Sequence, residues 1–364
     1  MSFSERDRQM MARALLLAEC GAYTTKPNPM VGCVIARGEK IVGEGFHQRA
    51  GEPHAEVFAL RDAGELAQGA TAYVTLEPCS HFGKTPPCAD ALVQAGITRV
   101  VAATADPFHA VSGRGFEKLE AVGVHVEVGL LEQQARELNR GFLSRVQRGR
   151  PWVRIKMAMS LDGRTALASG ESKWISSEDS RFDVAQWRAR SGAILTSDVT
   201  VKYDNPQLTV RMREPENFKA PIRIVLDSQG YLGDNYKIFD DNAESITVHA
   251  MDVVPDYGAH RDAIAVPSSQ GHVDLPAVLT QLAQRGVNEV QVEAGPRLSG
   301  AFLKQGLADE ILLYIAPIVL GDTAKPLFAG INITEMSKRF NFHVMQSTNI
   351  GSDVRLLLRQ KISE

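Results

Sequence analysis

Pro53-His54-Ala55-Glu56 and, further along, Glu77-Pro78-Cys79-Ser80-His81-Phe82-Gly83-Lys84-Thr85-Pro86-Pro87-Cys88 are the most informative stretches of this chain. One imidazole (His54) and two thiolates (Cys79, Cys88) form a good zinc set. Three protein ligands leave a fourth tetrahedral position for water, which separates catalytic zinc from closed structural zinc. The apolar pattern starts a helix at about His54, carries Val57, Phe58 and Leu60, and stops near Gly64; a second helix covers Cys88 to Ala95. Backbone N–H groups and the helix dipole at such starts favour anionic ligands. Glu56 shares the first turn with His54 and reaches a water on the metal without being a ligand, so it is the candidate catalytic proton carrier. Thr71 to Thr75 and Arg99 to Ala103 read as strands around these helices. Strand-helix-strand alternation calls for parallel pairing in an α/β layered domain.

On the N-terminal side, Ser4 is placed to cap a helix with Met10, Met11, Ala14, Leu15 and Ala18 on one face, and Val31 to Ala36 and Ile41 to Phe46 form two strands around a turn at Gly38. Asn28, between Pro27 and Pro29, is either a turn residue or a held amide that binds a sugar or base. On the C-terminal side, Leu131 to Leu143 reads as one helix, and Arg145, Arg148, Gly149, Arg150 and Pro151 make a basic, turn-prone stretch. The domain boundary is placed there, giving 1–147 and 148–364; the stretch reads as a solvated linker, with a phosphate-binding patch as the alternative. A second alternation follows: strands Trp152 to Ala158, Ala193 to Leu195, Ile222 to Leu226, Ser245 to His249, Val290 to Glu293, Glu310 to Ile315 and Val354 to Leu358, with helices near Asp179 to Ala189, Leu275 to Arg285 and Leu298 to Gln305.

At 364 residues, 44% apolar and 23% charged, the chain has material for about two globular cores. A formal charge of −3 gives no global field for holding nucleic acid. The apolar run Ile311 to Leu320 contains Pro317 and is too short to span a membrane, so it belongs to a core or an interface between copies. The mixed charges Glu5, Arg6, Asp7 and Arg8 fit no targeting segment, which makes the cytoplasm the expected location. Four cysteines are too few for a disulfide framework, and Cys20 and Cys33 read as core residues.

His-x-Glu followed by Pro-Cys and a second Cys is the zinc-deaminase pattern, here with the cysteines separated by a longer loop. His81 and Lys84 in that loop are candidate substrate contacts; a closed site with His81 as fourth ligand is the alternative, and it leaves Glu56 without a task. Together with Pro27-Asn28-Pro29-Met30-Val31-Gly32, the motif strongly resembles the deaminase half of bifunctional riboflavin-biosynthesis deaminase/reductases. Lys156-Met157-Ala158-Met159-Ser160-Leu161-Asp162-Gly163, Glu171-Ser172-Lys173-Trp174-Ile175, Asp204-Asn205-Pro206-Gln207-Leu208-Thr209-Val210-Arg211 and Glu293-Ala294-Gly295-Pro296 resemble the reductase half, in the right order. The resemblance implies a cytidine-deaminase-like α/β/α domain followed by a dihydrofolate-reductase-like α/β domain. It also implies zinc-dependent removal of the ring amine of 2,5-diamino-6-ribosylamino-4(3H)-pyrimidinone 5′-phosphate, then NADPH-dependent reduction of the ribosyl group to give 5-amino-6-ribitylamino-uracil 5′-phosphate. On matching positions it implies NADPH contacts at Ala158, Trp174, Thr200, Asp204, Ser228 and the run Gly295, Pro296, Arg297, Leu298, Ser299, Gly300 and Ala301. Substrate contacts are implied at Ser172, Arg188, Leu208, Arg211 and Glu293, with Lys156 as a further one.

Read on their own, these reductase residues decide less. No Gly-x-Gly-x-x-Gly follows an early strand, so a Rossmann domain is unsupported, and Gly295 to Gly300 is either a diphosphate cradle at a helix start or a routine turn. Arg188 and Arg211 have the right type for a phosphate monoester, yet lone arginines are commonly surface residues. Trp174 is either a shelf for a flat ring or a packing residue. Two other readings remain: a nucleotide deaminase with an unrelated second domain, and a non-catalytic zinc and nucleotide binding module. A homo-oligomer, dimer or tetramer, is also expected.

Overall fold

The computed structural model describes residues 3–80, 86–107, 113–212, 217–258 and 261–361, and the chain clusters into two compact units, Met1–Gly149 and Arg150–Glu364. In the first unit, α1 (Glu5–Glu19) starts with a reciprocal capping box between Ser4 and Asp7. It is followed by β1 (Gly32–Arg37), β2 (Lys40–Phe46), α2 (Ala55–Ala63), β3 (Thr71–Val74), α3 (Cys88–Gln94), β4 (Arg99–Ala102), α4 (Arg114–Glu120), β5 (His125–Val128), α5 (Glu132–Leu138) and α6 (Arg140–Arg148). The sheet order is β2-β1-β3-β4-β5, antiparallel around β1 and parallel from β3 to β5.

Alternation along β1 sends Cys33 and Ile35 into a core with α2, α3 and α4, and Val34 and Ala36 into a second core with α1 and α5. Three layers, α/β/α, result. Helix α2 lies very close on β2 because Gly43 and Gly45 face it; a Cβ on Gly45 would stand 2.4 Å from the Ala55 carbonyl oxygen. Asp7 ties the layers together. It accepts hydrogen bonds from Arg99 at 2.7 Å and Tyr73 at 2.8 Å, and Arg99 also pairs with Glu127.

The second unit holds β6 (Trp152–Ser160), β7 (Arg164–Ala166), α7 (Glu178–Arg190), β8 (Ala193–Ser197), α8 (Asp198–Asp204), β9 (Ile222–Leu226), β10 (Ser245–Ala250), β11 (Asp262–Val266), β12 (Ser268–Ser269), β13 (His272–Val273), α9 (Leu275–Gln284), β14 (Glu289–Val292), α10 (Pro296–Lys304), β15 (Glu310–Ala316), β16 (Lys325–Pro326), β17 (Phe342–Ile350) and β18 (Asp353–Gln360). Nine strands form one sheet, β11-β10-β9-β8-β14-β6-β15-β18-β17, parallel up to β15 and antiparallel in its last two strands. Val153, Ile155, Val290, Val292, Ile311 and Leu313 build the main core on one face, together with α9 and α10. The opposite face carries Arg154, Lys156, Gln291 and Glu293 beneath α7.

Several sequence expectations change. Leu131 to Leu143 is not one helix: Leu131 is left-handed at φ 54°, and α5 and α6 part at Asn139, whose φ is −102°. Short α4 and α8 and strands β5, β11 and β17 carry weak periodicity and were missed by pattern reading. Cys33 is buried, but Cys20 is exposed beyond the end of α1 rather than in a core. The run from Ile311 divides: the part in β15 is core, whereas Ile318 and Val319 beyond Pro317 are exposed. The basic stretch is engaged within its own units, with Arg145 on Phe142, Arg148 on Ser144, and Arg150 forked onto Asp309 at 2.7 and 2.8 Å.

Candidate active sites

His54 is the extended N-cap of α2, Glu56 lies in that helix's first turn, Cys88 opens α3, and Cys79 lies between β3 and α3. One ligand atom from each of His54, Cys79 and Cys88 falls within 4.8 Å of the others; His54 Nδ1 is 3.2 Å from Cys88 Sγ and 3.5 Å from Cys79 Sγ. The Cys88 backbone N–H donates to Cys79 Sγ at 3.3 Å. Hydrogen bonds from the Cys88 thiol and then His54 hold the Cys79 thiol well below its ordinary value, and the same contact pushes Cys88 up. Glu56 is 3% exposed, and its buried Oε2 has no protein partner. Burial raises its pKa above the ordinary carboxyl value. An imidazole and two sulfurs in this grouping, with an unpartnered buried carboxyl oxygen beside them, fit zinc and a proton carrier.

Two supports were not visible in the sequence. His47, 3% exposed, sits between the elements of the site: its Nδ1 is 3.1 Å from the Pro53 carbonyl and its Nε2 is 3.0 Å from Asn28 Nδ2. Burial lowers its pKa, so the neutral ring donates to Pro53 and accepts from the Asn28 amide nitrogen. Glu77, buried ahead of Cys79, accepts from the N–H groups of Asp106, Gly113 and Gly115 at 3.2, 3.0 and 2.9 Å. It anchors the segment that carries the ligand. His81 and Lys84 lie outside the described residues.

In the second unit the strands do the gathering. β14 pairs with β6 so that Glu293 follows directly on the Val292 to Ile155 pair, bringing its carboxylate near Lys156. Arg188 of α7 forks onto Glu293 at 2.7 and 2.8 Å and donates to the Thr209 carbonyl at 2.8 Å; Gln291 donates to Glu293 at 2.9 Å. Burial would raise the Glu293 carboxyl, but Arg188 outweighs it and the pKa falls to about 2. Burial also lowers Lys156, whose Nζ is 5.7 Å from the Tyr314 ring centre. Arg188, Glu293 and Lys156 therefore form one charged platform.

The remaining predicted contacts divide. Thr200, Ser228 and Gly295 all follow the carboxyl ends of β8, β9 and β14, neighbours in the sheet and the edge where parallel α/β sheets take ligands. Gly295, Pro296 and Arg297 present the start of α10, and Ser299 Oγ behind them is buried with no partner. That orphaned hydroxyl and the helix start fit a diphosphate-bearing cofactor. Leu298 and Ala301 lean on the core, and Gly300 is buried where a Cβ would stand 2.2 Å from the Ala329 carbonyl oxygen, so its role here is packing. Leu208 has a positive φ of 52° and its side chain is in a core cluster, which leaves its backbone for any contact. Arg211 is exposed and donates to Gln207 at 2.9 Å. Asp204 is exposed and Ser172 half-buried, Ala158 packs beside Tyr314, and Trp174 is exposed under the Arg181 guanidinium at 4.4 Å.

Comparison with known proteins places both halves. Residues 4–104 match the cytidine and deoxycytidylate deaminase zinc-binding region, and residues 151–356 match the RibD C-terminal domain. The riboflavin biosynthesis protein RibD of Escherichia coli is 47% identical over 97% of this chain and 99% of its own length. Its Haemophilus influenzae counterpart is 44% identical over 99% of each. Among solved structures, Acinetobacter baumannii RibD has a TM-score of 0.91 at 42% identity, covering 98% of this chain and 99% of that one. A diaminohydroxyphosphoribosylaminopyrimidine deaminase/5-amino-6-(5-phosphoribosylamino)uracil reductase from Thermotoga maritima has a TM-score of 0.87 at 34% identity, with the same coverage.

Proposed function

The chain belongs to the RibD family of bifunctional riboflavin-biosynthesis deaminase/reductases, and from that membership we propose which residues carry each reaction. It is a zinc-dependent deaminase and an NADPH-dependent reductase, with deamination assigned to 1–147 and reduction to 148–364. The substrate is 2,5-diamino-6-ribosylamino-4(3H)-pyrimidinone 5′-phosphate, which loses its ring amine as ammonia and then has its ribosyl group reduced to the open ribityl chain. The grouping of His54, Cys79 and Cys88 around a partnerless Glu56 oxygen is the observation that carries the first half.

When bound, zinc supplies a water acidified from a pKa of about 15.7 towards ~7, and NADPH supplies a hydride. His54, Cys79 and Cys88 hold the metal. Glu56 takes the proton of the attacking water and hands it to the departing amine nitrogen. Asn28 Oδ1 accepts from the substrate, and the motif supplies His81 and Lys84 as further substrate contacts. In the reductase half the helix start at Gly295, Pro296 and Arg297, with Ser299, Thr200 and Ser228, holds the cofactor, assisted by Ala158, Trp174 and Asp204. Lys156, Arg188 and Glu293 orient the sugar phosphate, with Ser172, Arg211 and the Leu208 backbone at its rim. Glu293 stays ionised and accepts from sugar hydroxyls, while Lys156 is the nearby donor.

Among the described residues no helix is long and apolar enough to cross a membrane. We place the enzyme in the cytoplasm, acting on a diffusible small molecule. We also read it as a homo-oligomer, supported by the edge strand β17 with its exposed Val344 and Met345; mass in solution checks this. The functional test is a paired assay on zinc-replete protein: ammonia release from the diaminopyrimidine phosphate, then loss of nicotinamide absorbance on adding NADPH. Both signals are expected. Folded, zinc-loaded protein that gives neither would overturn the assignment and favour a binding module.

A further inference from the structure

The break between α5 and α6 does something specific. Asn139, 5% exposed, leaves helical geometry at φ −102°, and its side-chain amide pairs edge-on with the backbone of Met30. Its Oδ1 accepts from the Met30 N–H at 2.8 Å, and its Nδ2 donates to the Met30 carbonyl at 2.8 Å. The same segment is touched by Arg145 of α6, whose guanidinium lies 3.5 Å from the Pro27 carbonyl. Met30 is two residues beyond Asn28, whose amide nitrogen is itself held by His47. The backbone from Pro27 to Met30 is thus fixed from the α6 side, and the Asn28 side chain is fixed from the His47 side.

A primary amide satisfies one backbone N–H and one backbone C=O at once only in a single orientation, so this pair sets position as well as contributing stability. Proline on both sides of Asn28 removes two backbone donors that would otherwise secure the segment. The Asn28 N–H still donates to the Thr25 carbonyl at 2.9 Å, and beyond Pro29 it is Asn139 that holds the backbone. We propose that Asn139 is a positioning residue for substrate recognition in the deaminase half: it acts on the substrate through Met30 and Asn28 without touching it.

This inference rests on the reading of Asn28 as a substrate contact, and the two are separable by a double-mutant cycle. Asn139→Asp keeps the acceptor for the Met30 N–H and the side-chain volume, but sets a carboxylate oxygen against the Met30 carbonyl. Deamination kinetics are compared for Asn28→Ala, Asn139→Asp and the double variant, with zinc content and NADPH oxidation on the deaminated compound as controls. We expect KM for deamination to rise about tenfold in each single variant while kcat changes less, with zinc and reductase activity retained. The double variant should be no worse than the worse single one, because both remove the same contact. If Asn28→Ala raises KM and Asn139→Asp does not, or if the two effects multiply, the positioning role is wrong. If Asn28→Ala itself leaves KM unchanged, the reading of Asn28 fails first. Loss of zinc with Asn139→Asp would mark the residue as structural support and also overturn the proposal.

Discussion

The deaminase centre and the reductase platform solve opposite problems. The first collects an imidazole, two thiols and a carboxyl from the starts of α2 and α3 and the segment between β3 and α3, and leaves one carboxyl oxygen without a protein partner. The second draws Lys156, Arg188 and Glu293 from elements far apart in sequence and pairs its charges tightly, Arg188 on Glu293 at 2.7 Å. One site keeps valence open for a metal and a proton. The other pairs Arg188 against Glu293 with Lys156 beside them, so its chemistry depends on orientation. Mutation should therefore damage them differently.

The largest effect is expected at Glu56. Glu56→Ala should lower ammonia release ~10²-fold or more while zinc stays bound and the deaminated compound is still reduced at the normal rate. Zinc loss or a matching fall in NADPH oxidation would break the contrast, because a carboxyl with one free oxygen is neither a ligand nor a shared support. Next comes the platform. Removing the guanidinium in Arg188→Met leaves only Lys156 and Gln291 to oppose burial at Glu293, raising its pKa from about 2. The ionised form is then lost at higher pH, so the acid limb of the reductase profile should move upward and turnover at neutral pH fall about 10- to 100-fold, with ammonia release unchanged. A profile that stays in place would show that Glu293 does not titrate in the rate-limiting step.

The smallest effect concerns stability. Arg99 holds the Asp7 carboxyl well below its ordinary range, so the stabilisation is present above the unfolded-state pKa and is lost as pH falls through the lowered folded value. Asp7→Asn should cost about 1–3 kcal/mol at neutral pH, and the difference from the parent should shrink as the solution is acidified. Equilibrium denaturation across that pH range measures it. A constant difference would mean that packing of the α1 cap, and not charge, is what Asp7 provides.

The contrast also explains what was legible in the sequence. Zinc chemistry demands rare residue types in a fixed order, so His54, Glu56, Cys79 and Cys88 could be named from spacing, and the strands around them followed from alternation. His47, Glu77 and Asn139 were not legible: Glu77 and Asn139 act through backbone groups distant in sequence, and His47 acts by joining the Pro53 carbonyl to the Asn28 amide, a pairing that only folding creates. Arg188 and Glu293 were nameable only through resemblance. As residue types they are common, and their meaning comes from the fork that folding creates. Leu208 and Gly300 show the reverse limit: a matched position told that something happens there, while the fold shows one side chain in a core and the other glycine under Ala329.

Beneath the platform, fully buried Arg154 is held between Glu289 at 2.9 Å and Glu310 at 2.7 Å, and Glu310 is shared with Arg359 at 3.0 Å. Removing one member of such a chain strands a buried charge, at a cost of about 3–5 kcal/mol, whereas exchanging the whole set for apolar residues is often neutral. Intermediates are penalised and endpoints are not. Descendants of this protein would therefore keep these residues together or replace them together, and an ancestor lacking the chain would be separated from this one by a valley that single substitutions do not cross.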